Sequence, residues 1–99
     1  MIYEHKTSMV LSGGSANTFT LKVIHGLLRN VYVRANSSTT VFRFNLQDED
    51  GEQRIDYGFS TGIINDNSIA FPIVGRYKGS ITNANPTQDT FKIILGVEE

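Results

Sequence analysis

The chain has 99 residues, 39% of them apolar, with no cysteine or tryptophan and a formal net charge of −1. The lack of cysteine excludes disulfides, zinc–thiolate centres and thiol nucleophiles, and nine Lys and Arg set singly along the chain do not make the clustered basic footprint of a nucleic-acid binder. No apolar run approaches the roughly 18 residues of a membrane helix, and the N-terminus lacks the basic-then-apolar order of a secretory signal, so neither membrane nor export is expected.

Side chains on a strand point to alternate faces, so alternation of apolar and polar residues marks each strand and its buried side. Residues 2–11 read as the first strand, with Thr7, Met9 and Leu11 opposite Ser8 and Val10. The Gly13-Gly14 pair breaks it, and residues 17–24 form the second, where Phe19, Leu21 and Val23 alternate with Thr18, Thr20 and Lys22. His25-Gly26 reads as a turn and residues 27–34 as the third strand, with Val31 and Val33 opposite Asn30, Tyr32 and Arg34.

Residues 40–60 are a β-hairpin. Phe42, Phe44 and Leu46 form the apolar face of one arm, Ile55, Tyr57 and Phe59 that of the other, and an acidic turn, Asp48-Glu49-Asp50-Gly51-Glu52, joins them. Residues 61–67 read as a loop that carries the pair Ile63-Ile64. A sixth strand over 68–74 contains Pro72, which lacks an amide donor and so belongs at an edge or bulge. Residues 76–83 form the seventh strand, 83–89 a turn, and Phe91, Ile93, Leu95 and Val97 the buried face of the eighth. About eight short strands without a helix predict an all-β antiparallel sandwich of jelly-roll or immunoglobulin-like kind, or a small barrel, folded as one domain over residues 1–99.

Strict alternation places Val10, Ile24, Val41, Ala70 and Ile94 away from the core. With Ile63 and Ile64 they predict an outward apolar surface that packs on a second copy or another protein; the alternative is a register shift in one or two strands. Residues 1–47 carry five basic side chains against one acidic and the remainder four against nine, a dipolar layout that would orient one subunit against another unless the fold mixes the two halves in space.

Chemistry is sparse. The acidic turn holds an Asp-x-Asp-Gly fragment of a calcium loop without the rest of the pattern, and reads as a solvated hairpin tip. His5 and His25 are the only histidines, and no Gly-x-Ser-x-Gly elbow, HExxH pair or phosphate loop accompanies them, so no catalytic residue, metal or cofactor is expected. Tyr3 and Tyr32 are the tyrosines left outside the expected core, a platform on which a sugar ring could stack. Asn36-Ser37-Ser38 matches a glycosylation acceptor by chance, given no export signal.

The stretches VYVRANSSTTVFRF, FPIVGRYKGSITNA and DTFKIILGVEE resemble the small β-sandwich structural proteins of tailed-bacteriophage virions. That resemblance covers about the last two-thirds of the chain and carries no catalytic motif. It implies a capsid decoration, fibre or connector protein, present in many copies, assembled in the host cytoplasm into the virion and bound to itself or to other virion proteins. The alternative expectation is a carbohydrate-binding or host-adhesion module that recognises glycans.

Overall fold

The computed structural model describes residues 2–21 and 25–99 of the protein. Within them lie nine strands: β1 (Ile2–Leu11), β2 (Ala16–Thr20), β3 (His25–Ala35), β4 (Val41–Gln47), β5 (Gln53–Thr61), β6 (Ile63–Asp66), β7 (Phe71–Val74), β8 (Lys78–Asn83) and β9 (Asp89–Glu98). They form two sheets, and every pairing is antiparallel. The five-stranded sheet runs β1-β9-β3, and its next position is shared by β6, on the second half of β3, and β7, on the first half. The four-stranded sheet runs β2-β8-β4-β5. The fold is therefore an all-β sandwich.

The apolar half of each alternating strand supplies the core. Leu28, Val31 and Val33 of β3 and Phe91, Ile93, Leu95 and Val97 of β9 face Phe42, Phe44 and Leu46 of β4 and Ile81 of β8. The Phe42 and Phe91 rings meet edge to face across the two sheets with centroids 5.4 Å apart, an arrangement favoured by the ring quadrupoles. His5 lies on this inner side, stacked on Phe19 at 5.4 Å, whereas His25 is exposed on β3.

The 40–60 hairpin forms as the sequence predicts, with one difference. Gly58 has φ +66°, and between the pairs Arg43–Phe59 and Asn45–Asp56 β5 places two residues, Tyr57 and Gly58, where β4 places one, Phe44. This β-bulge reverses the alternation. Ile55 and Tyr57 pack inward, but Phe59 stands outside at 68% exposure, opposite Arg43, whose guanidinium lies 5.8 Å from the ring centroid.

Other expectations change for similar reasons. Residues 63–66 are a strand, not a loop, because β3 is long enough to pair with β9 on one side and with both β6 and β7 on the other. For the same reason His25-Gly26 belongs to β3 and is no turn. Pro72 sits on β7, an edge strand, as its missing amide requires. Part of the predicted second strand, with Ile24, lies outside the described residues.

Candidate functional site

The outer face of the five-stranded sheet gathers side chains from the first, middle and last parts of the chain. β9 lies between β1 and β3, so Ser8, Lys92, Arg34 and Ile63 form one row of register partners across four strands. Lys6, Ile94, Tyr32 and Asn65 form the next row. Glu4 and Lys6 approach only to 3.8 Å, both exposed. Among the described residues Arg34 and Lys92 make no ion pair.

These rows end in a shallow hollow of about 730 Å³ lined by Lys6, Ser8, Arg34, Asn36, Thr90 and Lys92. A second hollow of about 430 Å³ shares Arg34 and Asn36 and continues to Ser38, Thr61 and Ile63. Together they make a groove that is cationic at one end and lined by hydroxyls at the other.

The loop that supplies Asn36 and Ser38 is held by hydrogen bonds. Asn36 donates its amide to the Thr90 carbonyl at 2.9 Å, and Ala35 donates to the Gly62 carbonyl at 2.9 Å. Gly62 donates to the Thr40 carbonyl at 2.8 Å, has φ +77°, and presses on Ser38 so closely that a Cβ would stand 2.6 Å from the Ser38 carbonyl oxygen. Only glycine meets both conditions. Asp89, 9% exposed, accepts from the Thr40 hydroxyl at 2.5 Å and from the Ser37 and Thr90 amides at 3.2 and 2.7 Å. Burial works to raise its pKa, but these donors, joined by the Asn36 amide, outweigh it and hold the carboxyl below the usual range.

The residues singled out in the sequence scatter over the molecule. Val10, 62% exposed, Ile63, 48% exposed, and Ile94, half-buried, lie on the outer face of the five-stranded sheet. Val41 is on the outside of the other sheet, and Ala70 is exposed just before β7. Ile64 does not join an outward surface: it alternates with Ile63 on β6 and is buried in the core at 6% exposure. Tyr3 also packs against the core, on the inner side of β1, so it forms no platform with Tyr32, which is on the outer face.

The acidic hairpin tip is largely engaged in its own structure. One Asp48 carboxylate oxygen accepts from the Asp50 and Glu52 amides, and Glu49 accepts from the Arg76 amide at 2.7 Å. Among the described residues no group of three His, Cys, Asp or Glu side chains is placed to hold a metal ion. Tyr57 donates to Asp66 at 2.9 Å, linking β5 to β6, and burial pushes its phenol pKa up.

Sequence reasoning missed Lys6, Arg34 and Lys92 as a group. Each is a single cation on the polar side of its strand, and only the position of β9 between β1 and β3 makes them neighbours.

No protein-family model matches the chain, and no curated protein matches it by sequence. Solved structures do. The periplasmic g-type lysozyme inhibitor PliG of Aeromonas hydrophila aligns over 96% of this chain and 86% of its own, with TM-score 0.62 and 16% identity. The pre-peptidase C-terminal domain of a Bacillus anthracis collagenase aligns over 92% and 87%, with TM-score 0.64 and 16% identity. A chain of the capsid asymmetric unit of cyanophage Pam1 aligns over 98% and 84%, with TM-score 0.63 and 13% identity. At these identities the likeness is one of fold, and the chain is a β-sandwich module of a kind that phage capsids, an inhibitor and a protease all contain.

Proposed function

We propose that the protein is a non-enzymatic structural component of a tailed-phage virion, a capsid decoration or head–tail accessory protein that works through protein contacts. The observation that carries this reading is the likeness to the Pam1 capsid chain, which spans 98% of this chain and 84% of that one. The strand order supports it. With β6 and β7 sharing one position, β1-β9-β3-β6/β7 over β2-β8-β4-β5 is the order of a jelly roll, an architecture common in viral capsids.

The contact surface in this reading is the lower outer part of the five-stranded sheet. There Leu27 stands opposite Pro72 and His25 opposite Val74, and Val74 is 69% exposed. Ala70, from the sequence-predicted set, is exposed beside them. Clustered exposed apolar side chains of this kind mark association surfaces.

Mass spectrometry of purified phage particles tests the proposal. The chain is expected in particles at a constant ratio to the capsid protein, and Val74→Glu is expected to block incorporation while leaving the circular-dichroism spectrum unchanged. Absence of the wild-type chain from particles overturns it.

A further inference from the structure

The groove on the outer face of the five-stranded sheet breaks a rule of sheet design. Lys92 stands directly opposite Arg34 in the β3–β9 pairing, and Lys6 is one outward position along β1 from Ser8, the other neighbour of Lys92. Like charges opposite one another weaken a sheet. Among the described residues no acid neutralises either Arg34 or Lys92, although the chain has more acidic than basic side chains to place. Local rules are most often broken where function requires it, and three cations facing one hollow call for an anion.

The surroundings of the cations narrow the anion. The Ser8 and Thr90 hydroxyls and the Asn36 amide rim the cationic hollow, and the adjoining hollow adds Ser38 and Thr61 beside the exposed Ile63. An inorganic oxyanion would leave that second compartment unused. A nucleic-acid strand needs a continued basic track, and among the described residues the lining of the groove beyond Arg34 holds no further cation. A ligand with one acidic group and a neutral, hydroxyl-bearing extension fits both compartments.

We propose that this groove binds an acidic oligosaccharide, with the carboxylate or sulfate of one sugar unit held by Lys6, Arg34 and Lys92 and an adjoining neutral unit lying against Ser38, Thr61 and Ile63. Asp89, Thr40 and Gly62 are positioning residues, since they fix the loop that carries Asn36 and Ser38. The site is separate from the Leu27, Pro72 and Val74 surface, so glycan binding and incorporation into particles succeed or fail independently.

The test is an array of sialylated, uronate-containing and sulfated oligosaccharides beside their neutral parents, followed by titration of the best-bound member. Acidic glycans are expected to bind and their neutral parents are not. Arg34→Gln and Lys92→Gln should each weaken binding at least about tenfold, as loss of a charge-assisted contact does. Lys78→Gln, on the outside of the other sheet, should leave binding unchanged. Lys92→Gln should also raise the melting temperature by relieving its opposition to Arg34, a change that loss of a structural side chain does not produce. The proposal is overturned if no acidic glycan binds above its neutral parent, or if the Arg34 and Lys92 variants bind as the wild type does. It also fails if a single-stranded oligonucleotide or a polyglutamate peptide binds through these cations and no saccharide does.

Discussion

Asp89 shows how one side chain ties a loop to a sheet. Its carboxylate accepts from the Thr40 hydroxyl and from the Ser37 and Thr90 amides, and all of these bonds favour the charged form. With the folded pKa below the unfolded value of about 3.9, the unfolded state binds the proton more readily. The resulting stabilisation is complete above the unfolded pKa and is lost as pH falls through the folded one. Asp56, held down by Arg43, and Asp66, held down by the Ser68 amide, act in the same direction, but both are more open to solvent and their effect is screened. Asp89→Asn should therefore lower the melting temperature at pH 7, and its melting temperature should fall less than that of the wild type between pH 5 and pH 2. Asp89→Ala, which leaves the buried Thr40 hydroxyl without its acceptor, should cost about 1–3 kcal/mol in urea denaturation at pH 7.

Among the elements, β9 occupies the most enclosed position. It is paired along its length with β1 on one side and with β3 on the other, and four of its apolar side chains are fully buried. Among the described residues β5 has a strand partner on one side only, and its ladder is interrupted by bulges. Amide hydrogens exchange through local opening that is easiest at edges and irregularities. Hydrogen exchange should accordingly be slowest in the middle of β9 and in the facing part of β3, and faster by orders of magnitude across residues 56–59 of β5. Equal protection of β5 and β9 would contradict this ranking. The β5 bulge also sets the outer surface of the four-stranded sheet, since the extra residue at Gly58 is what turns Phe59 out beside Arg43.

At the scale of the molecule, the first and last strands are neighbours, and Ile2 pairs with Glu98. The five-stranded sheet cannot close until the whole chain is available, so loop-closure entropy is spent before the long-range contacts repay it. Folding in milliseconds to seconds is the general consequence of such topology. Deleting residues 89–99 takes away the strand that pairs with β1 along its whole length and the centre of the core, including the Phe91 side of the Phe42 contact. The truncated chain should show no cooperative thermal transition by circular dichroism, while the full chain should unfold in one step. A cooperative transition in the truncated chain would mean that the four-stranded sheet is an independent unit.

Much of this fold follows from the sequence alone, because alternation is a local property. Two successive side chains on a strand face opposite ways whatever the strand lies next to. That is sufficient to place Phe42, Phe44 and Leu46 inside, to set Arg34, Lys92 and Lys6 outside, and to mark residues 48–52 as the turn of a hairpin. Alternation does not say which strands are neighbours. The length of β3 made a strand of residues 63–66 and sent Ile64 into the core, and the bulge at Gly58 sent Phe59 out of it. Only tertiary pairing placed β9 between β1 and β3, since that choice depends on which buried faces complement one another over most of the chain length. The same pairing turned three cations that are far apart in sequence into one groove.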